Sequence, residues 1–135
     1  MSIKHASHAR FELWYHVAWS TKYRRKVFID KTVQGEIALL MREIALHYDL
    51  EIDKIDVKSN HLHMSISAPP RIAPSRLVQI MKSVSTKMLF KKYKFLKKYY
   101  WGGEVWVTGY FIRSVGQGLT KEEINRYIEE QSEEI

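Results

Sequence analysis

Two histidines stand one residue apart in the run Ser59-Asn60-His61-Leu62-His63-Met64-Ser65-Ile66-Ser67. The run alternates polar and apolar residues, as a strand with two unlike faces does. Successive strand side chains point to opposite faces, so His61 and His63 share one, about 7 Å apart along the backbone. Two neutral imidazoles so placed can converge on a single ion. They can equally be ordinary polar residues on a solvent face, and a His-x-His pair alone does not separate these readings. The chain has no cysteine, which argues against a closed structural zinc site. A metal pair also needs a third ligand and a reacting group. The terminal run "TKEEINRYIEEQSEEI" offers both. Ile124, Tyr127, Ile128, Gln131 and Ile135 fall on one helical face, with Tyr127 and Gln131 a turn apart. A glutamine carbonyl oxygen is a hard ligand that suits Mg²⁺ or Mn²⁺ beside imidazole. The Tyr127 phenol is a candidate nucleophile toward a phosphodiester. The plain alternatives are a core aromatic for Tyr127 and an interface-edge polar residue for Gln131.

The charge distribution names a partner for such chemistry. Net charge is +7 over 135 residues, which favours a polyanion. Between Val57 and Gly103 there is no Asp or Glu but ten Lys or Arg, and His16 to Ile29 is also acid-free and carries Lys22, Arg24, Arg25 and Lys26. The last 14 residues hold six glutamates. This asymmetry reads as a nucleic-acid surface beside an acidic terminal helix. The candidate DNA contacts are Lys22, Arg24, Arg25, Lys26, Lys82, Lys87, Lys91 and Lys92, acting on phosphates more than on bases. Trp14 and Trp101 could stack on unpaired bases, with ordinary packing the simpler expectation for each. No stretch of 18 apolar residues is present, and the start "MSIKHASHAR" lacks the apolar centre of a signal peptide. A cytoplasmic protein acting on DNA is expected.

The elements that must position these residues follow from periodicity. Arg10 to Thr21 alternates as a strand, with Trp14, His16 and Ala18 on one face and Tyr15, Val17 and Trp19 on the other. Asp30 can cap a helix over Lys31 to His47. Leu50 to Lys58 reads as a strand whose Ile55 step breaks strict alternation. A short turn leads into the His61–Ala68 strand, closed by Pro69 and Pro70. Ser75 opens a long helix, "EVWVTGYFIRS" reads as a fourth strand, and Thr120 can cap a last helix. The expected fold is α+β: a βαββαβ antiparallel sheet of ferredoxin-like (RNA-recognition-motif-like) type, with one face under two helices and the other, histidine-bearing face open. It forms a single domain over 1–135, with residues 1–9 as a flexible tail and 120–135 as the terminal tyrosine helix. His16, on the strand beside the histidine pair, would lie near it.

These features together resemble the HUH single-tyrosine transposases (His, hydrophobic, His), small transposases of bacterial and archaeal insertion sequences that move as single-stranded DNA. The resemblance rests on His61-Leu62-His63 and on Tyr127 and Gln131 four apart on a terminal helix. It extends to "YHVAWSTKYRRKVF", "WGGEVWVTGYFIRSVG" and "RYIEEQ", in family order over nearly the whole chain. One departure is Asn60, where the family often has an acid. The resemblance implies that His61, His63 and Gln131 hold Mg²⁺ or Mn²⁺, and that Tyr127 cuts single-stranded DNA beside hairpins to give a 5′-phosphotyrosine and a free 3′-hydroxyl. It also implies a homodimer, with the tyrosine helix able to serve the partner's site. The fourth strand, rich in Trp106, Tyr110 and Phe111, is the candidate dimer edge. Two other classes compete. A non-catalytic nucleic-acid-binding module of RNA-recognition type would carry aromatics where this chain has His61 and His63. A metal-free phosphoesterase would need a second His-x-Ser/Thr motif beside His63-Met64-Ser65, and the other such triplet, His5-Ala6-Ser7, falls in the stretch expected to be a tail.

Overall fold

A computed structural model of the chain describes residues 3–6, 9–115 and 122. Two short strands, β1 (Lys4–Ala6) and β2 (Ala9–Phe11), pair with each other within and beside the stretch expected to be a tail. The strand expected over Arg10 to Thr21 is therefore split, with β3 running from Trp14 to Ser20. Alternation reports which face a residue occupies and not which strand it pairs with, so it runs unbroken through the change of partner.

Helix α1 (Lys31–His47) begins where Asp30 accepts a 2.7 Å hydrogen bond from the Thr32 N–H. It buries Ile37, Met41, Ile44 and Ala45, one stripe at helical spacing. Strands β4 (Glu51–Val57) and β5 (His61–Ser67) follow. Helix α2 (Pro74–Lys92) starts on a proline in its first turn, where the missing N–H costs nothing. It buries Leu77, Val78, Ile80, Met81, Ser85 and Leu89. A single-turn helix, α3 (Leu96–Tyr99), and strand β6 (Phe111–Ser114) follow.

The main sheet has the order β4-β5-β3-β6, every neighbour antiparallel. Val17 and Trp19 of β3 and Leu62, Met64 and Ile66 of β5 join the inner stripes of α1 and α2 in one core. The fourth strand is shorter than the sequence suggests. Val105 and Val107 still exchange backbone hydrogen bonds with Lys22 and Ser20. Thr108 and Gly109 then leave the sheet, because the Lys82 ammonium gathers the carbonyls of Val107, Thr108 and Gly109 at 2.6, 3.1 and 2.7 Å.

The far face of the sheet is not open. Trp14, His16, Ala18, His61, His63, Ser65 and Ser67 are all buried. His16 lies edge-on to His63 and to Phe111 there, with centroids 6.0 and 5.9 Å apart. Large polar aromatic residues on a strand can cover smaller neighbours, which the polar and apolar pattern does not reveal.

Candidate active site

Strand β5 is hydrogen-bonded on both sides, to β4 and β3, which fixes its side chains in register. Leu62, Met64 and Ile66 occupy the core, so His61 and His63 face the opposite side. Their rings lie 17° from parallel with centroids 6.1 Å apart. Two imidazoles sharing an ion at about 2.1 Å would place their centroids about 5–6 Å apart. The pair is therefore within a small side-chain adjustment of a common ligand.

Asn60 orients the first ring. Its Oδ1 lies 2.9 Å from His61 Nδ1. A carboxamide oxygen only accepts, so Nδ1 carries the proton and the lone pair sits on Nε2. The neutral side chain thus supplies the hydrogen-bonding part of what an acid would do at this position. Asp56 attends the second ring. It is opposite His63 in register, with Oδ2 3.5 Å from His63 Nε2, longer than a direct hydrogen bond. His63, and then Lys58 at 3.2 Å, hold the Asp56 carboxyl down at about 2, against a burial effect that pushes the other way.

Asp56 does not stand out in the sequence, although its signal is there. A bulge between Ile52 and Lys54 shifts the pairing of β4 with β5. Without it, Asp56 would share the core face of Ile52; with it, Ile55 and Val57 turn inward and Asp56 turns toward the histidines. The break in alternation at Ile55 is that bulge. His16 lies across from Ser65, beside the pair as expected. Burial, then the nearby His63 and Arg113, lower its pKa to about 4, so it is neutral near pH 7. Ser65 Oγ accepts the Lys54 N–H at 3.0 Å, a cross-strand structural bond.

Donor chemistry fits a divalent ion. His61 and His63 are buried nitrogen donors, and among the described residues neither ring nitrogen of His63 has a hydrogen-bond partner. Among the described residues no group of three or more His, Cys, Asp or Glu is arranged to hold a metal, so a further donor is required. Gln131 and Tyr127 lie outside the described residues.

The basic candidates fall into two groups. Lys22, Arg24, Arg25 and Lys26 lie on the turn after β3. Lys22 pairs with Glu104 at 2.9 Å, and Arg25 donates to the Tyr99 carbonyl at 2.7 Å. Lys82, Lys87, Lys91 and Lys92 run along α2. Lys82 is committed to its three carbonyls; Lys26, Lys87, Lys91 and Lys92 are exposed, the last of them 3.6 Å from Glu36. Lys82 and Lys87, with Arg76, line a groove of about 640 Å³ between α2 and the segment 103–110. Trp14 is buried and Trp101 is 83% exposed. Trp106 is buried too, its Nε1–H donating to Ser85 Oγ at 2.9 Å.

An antiparallel sheet with helices on one face and a buried histidine pair on the other defines an α+β domain. Comparison with known proteins says which kind. The family model described as "Transposase IS200 like" matches residues 9–131. The chain belongs to this family, the HUH single-tyrosine transposases that its motifs resemble. It is 34% identical to the ISDra2 transposase TnpA of Deinococcus radiodurans, over 90% of this chain and 85% of that one. It is 29% identical to the IS200 transposase of Salmonella typhimurium, over 97% and 84%. A solved structure described as a candidate transposase from Deinococcus radiodurans R1 superposes with a TM-score of 0.75 at 30% identity, covering 95% of this chain and 97% of that one. A REP-associated tyrosine transposase, solved bound to a REP hairpin, has the same fold at a TM-score of 0.58 and 12% identity, covering 96% and 74%. The chain is thus a DNA-binding transposition enzyme. Among the described residues, no helix is long and apolar enough to cross a membrane.

Proposed function

We propose that this transposase cuts and rejoins single-stranded DNA beside hairpins at the ends of an insertion sequence, through a 5′-phosphotyrosine on Tyr127. The observation that carries this is the buried His61–His63 pair, with Asn60 fixing the tautomer that leaves the His61 lone pair on Nε2. The ferredoxin-like reading of the fold is supported by the strand order β4-β5-β3-β6 and the βαββαβ succession of its main elements. His61, His63 and Gln131 would hold Mg²⁺ or Mn²⁺. When bound, such an ion supplies Lewis-acid polarisation of the scissile phosphate and offsets charge built up in the transition state.

The chain's own groups do the remainder. His61 and His63 hold their donor atoms in a rigid central strand. Neutral His16 keeps the surroundings of the pair free of added positive charge. The Tyr127 oxygen attacks phosphorus, the bond to the 3′ oxygen breaks, and the 3′-hydroxyl leaves. A second 3′-hydroxyl reverses the step, so joining requires no external energy source. The exposed cations Lys26, Lys87 and Lys91 position phosphates. The assembly is a homodimer, with the tyrosine helix able to serve the partner's site. β6 supports this: it is an edge strand whose Phe111, with neighbouring Tyr110, is over 40% exposed. Trp106, buried against Ser85, takes no part in that edge.

The test separates cutting from binding. His61→Ala and His63→Ala should abolish divalent-dependent cleavage of a single strand flanking a hairpin while gel-shift affinity for the hairpin stays within a few-fold. Full cleavage by both variants would remove the metal site from the reading. For the dimer, Tyr127→Phe mixed with a His61→Ala, His63→Ala double variant should regain cleavage if sites are shared. Confirmed subunit exchange with no activity would assign each tyrosine to its own subunit.

A further inference from the structure

The turn after β3 carries an arrangement that the cleavage chemistry does not use. Tyr23 and Arg24 both have left-handed backbone angles, φ 61° and 53°, which non-glycine residues adopt at a cost and which cluster at functional sites. The turn displays Tyr23, 68% exposed, beside Tyr99, 44% exposed, and Trp101, 83% exposed. The Arg25 guanidinium lies 5.2 and 5.9 Å from the Tyr23 and Tyr99 ring centroids, and its bond to the Tyr99 carbonyl ties the two segments together. Lys94, Lys97 and Lys98 precede the aromatic pair in sequence and are exposed. One acid, Glu104, lies at the margin and is paired with Lys22.

A recess of about 90 Å³ lies among Tyr23, Tyr99 and Trp101. Enclosed ligand sites run to roughly 300–1,000 Å³, so a partner must lie on these rings and not inside them. Exposed aromatic faces set among cations are what unpaired bases stack on, and a duplex hides its base faces.

We propose that Tyr23, Tyr99 and Trp101, braced by Arg25, form a stacking platform for unpaired nucleotides of the single-stranded DNA. This rests on the single-strand reading above and extends it to a second surface. The platform is wired to the histidine pair. The Thr21 N–H donates to the Asn60 carbonyl at 2.9 Å, and the Asn60 side-chain amide reaches the Arg24 carbonyl at 3.4 Å. The same Asn60 holds His61 through Oδ1. The turn that carries Tyr23 and the first histidine are thus both hydrogen-bonded to Asn60.

The experiment measures the affinity of the full chain for a dT₂₀ oligonucleotide, the matching RNA and a 20-base-pair duplex. It compares the wild-type protein with Trp101→Ala, Trp101→Phe and Tyr23→Asn, the last chosen because Asn tolerates a left-handed backbone. Circular dichroism confirms folding. Stacking is worth roughly a 5- to 150-fold affinity change per base. Trp101→Ala and Tyr23→Asn should weaken dT₂₀ binding within that range, leave duplex binding unchanged, and be rescued by Trp101→Phe at the tryptophan. A 2-aminopurine in the oligonucleotide should be quenched by the wild type and not by Trp101→Ala. Equal affinities for all variants, equal losses on dT₂₀ and duplex, or tighter binding of the RNA would overturn the platform. If the variants match a wild type that still cuts single strands, the platform alone fails. If the wild type does not bind dT₂₀ at all, the single-strand reading fails with it.

Discussion

Replacing Asp56 by Asn keeps the shape of the side chain and removes the charge that faces His63 and Lys58. The carboxyl is held at about 2 instead of 3.8, and at ~1.4 kcal/mol per pH unit this corresponds to about 2.5 kcal/mol. The 3.5 Å contact to His63 is longer than a hydrogen bond, and 31% of the side chain is exposed, so a discounted value of about 1–2 kcal/mol is expected. A depressed carboxylate stabilises the fold above its unfolded pKa, and that contribution is lost as pH falls through the folded value. Urea denaturation of the chelated protein at pH 7 should therefore give Asp56→Asn a midpoint lower by roughly 1 M. Between pH 4 and pH 2 the gap between variant and wild type should close. The same carboxylate orients a proposed metal ligand, and loss of such a support costs about 10–100-fold in metal affinity, measurable by titration calorimetry with Mn²⁺. A variant with wild-type stability at pH 7 and unchanged Mn²⁺ affinity would refute the role assigned to Asp56.

The other predictions concern packing, protonation and charge. His16 has its pKa lowered from 6.5 to about 4, so the unfolded chain binds more protons between those values and stability rises with pH across that window. His16→Asn should flatten that rise in chelated protein, measured as ΔG of urea unfolding at pH 4, 5 and 6.5. Ser85→Ala leaves the buried Trp106 N–H without its acceptor and should cost about 1–3 kcal/mol, a drop of several degrees in Tm. Lys82→Met removes the cation that draws in three carbonyls, and amide exchange at residues 107–109 should speed up while β3 stays protected. DNA affinity should fall steeply with salt, with a smaller logarithmic slope for Lys87→Ala, Lys91→Ala, because each phosphate neutralised releases counterion.

Much of this was legible because local chemistry and tertiary structure agree. Asp30 reads as a helix cap and caps α1, and the alternation of His61–Ser67 places its histidines on one face. Features set by several segments at once were not legible. His16 meets rings from β5 and β6, a contact between separate segments, and the bulge that turns Asp56 toward the histidines registers in the sequence only as a slipped alternation. "EVWVTGYFIRS" is rich enough in aromatic and branched residues to read as one strand. One lysine on α2 bends its middle away, and no property of the segment itself announces that. Trp14 and Trp101 look alike as stacking candidates; β3 buries the first, and the turn after α3 exposes the second.

The proposed reaction requires Tyr127 to form a covalent bond to DNA. The most direct measurement incubates the wild-type protein with Mn²⁺ and a labelled single strand flanking a hairpin from its own element's end. The product is resolved on a denaturing gel and the linked residue mapped by mass spectrometry. A label-bearing adduct on Tyr127, absent in Tyr127→Phe, in His61→Ala and after chelation, is the predicted result. An adduct that persists in Tyr127→Phe, or that forms fully without divalent ion, would contradict it.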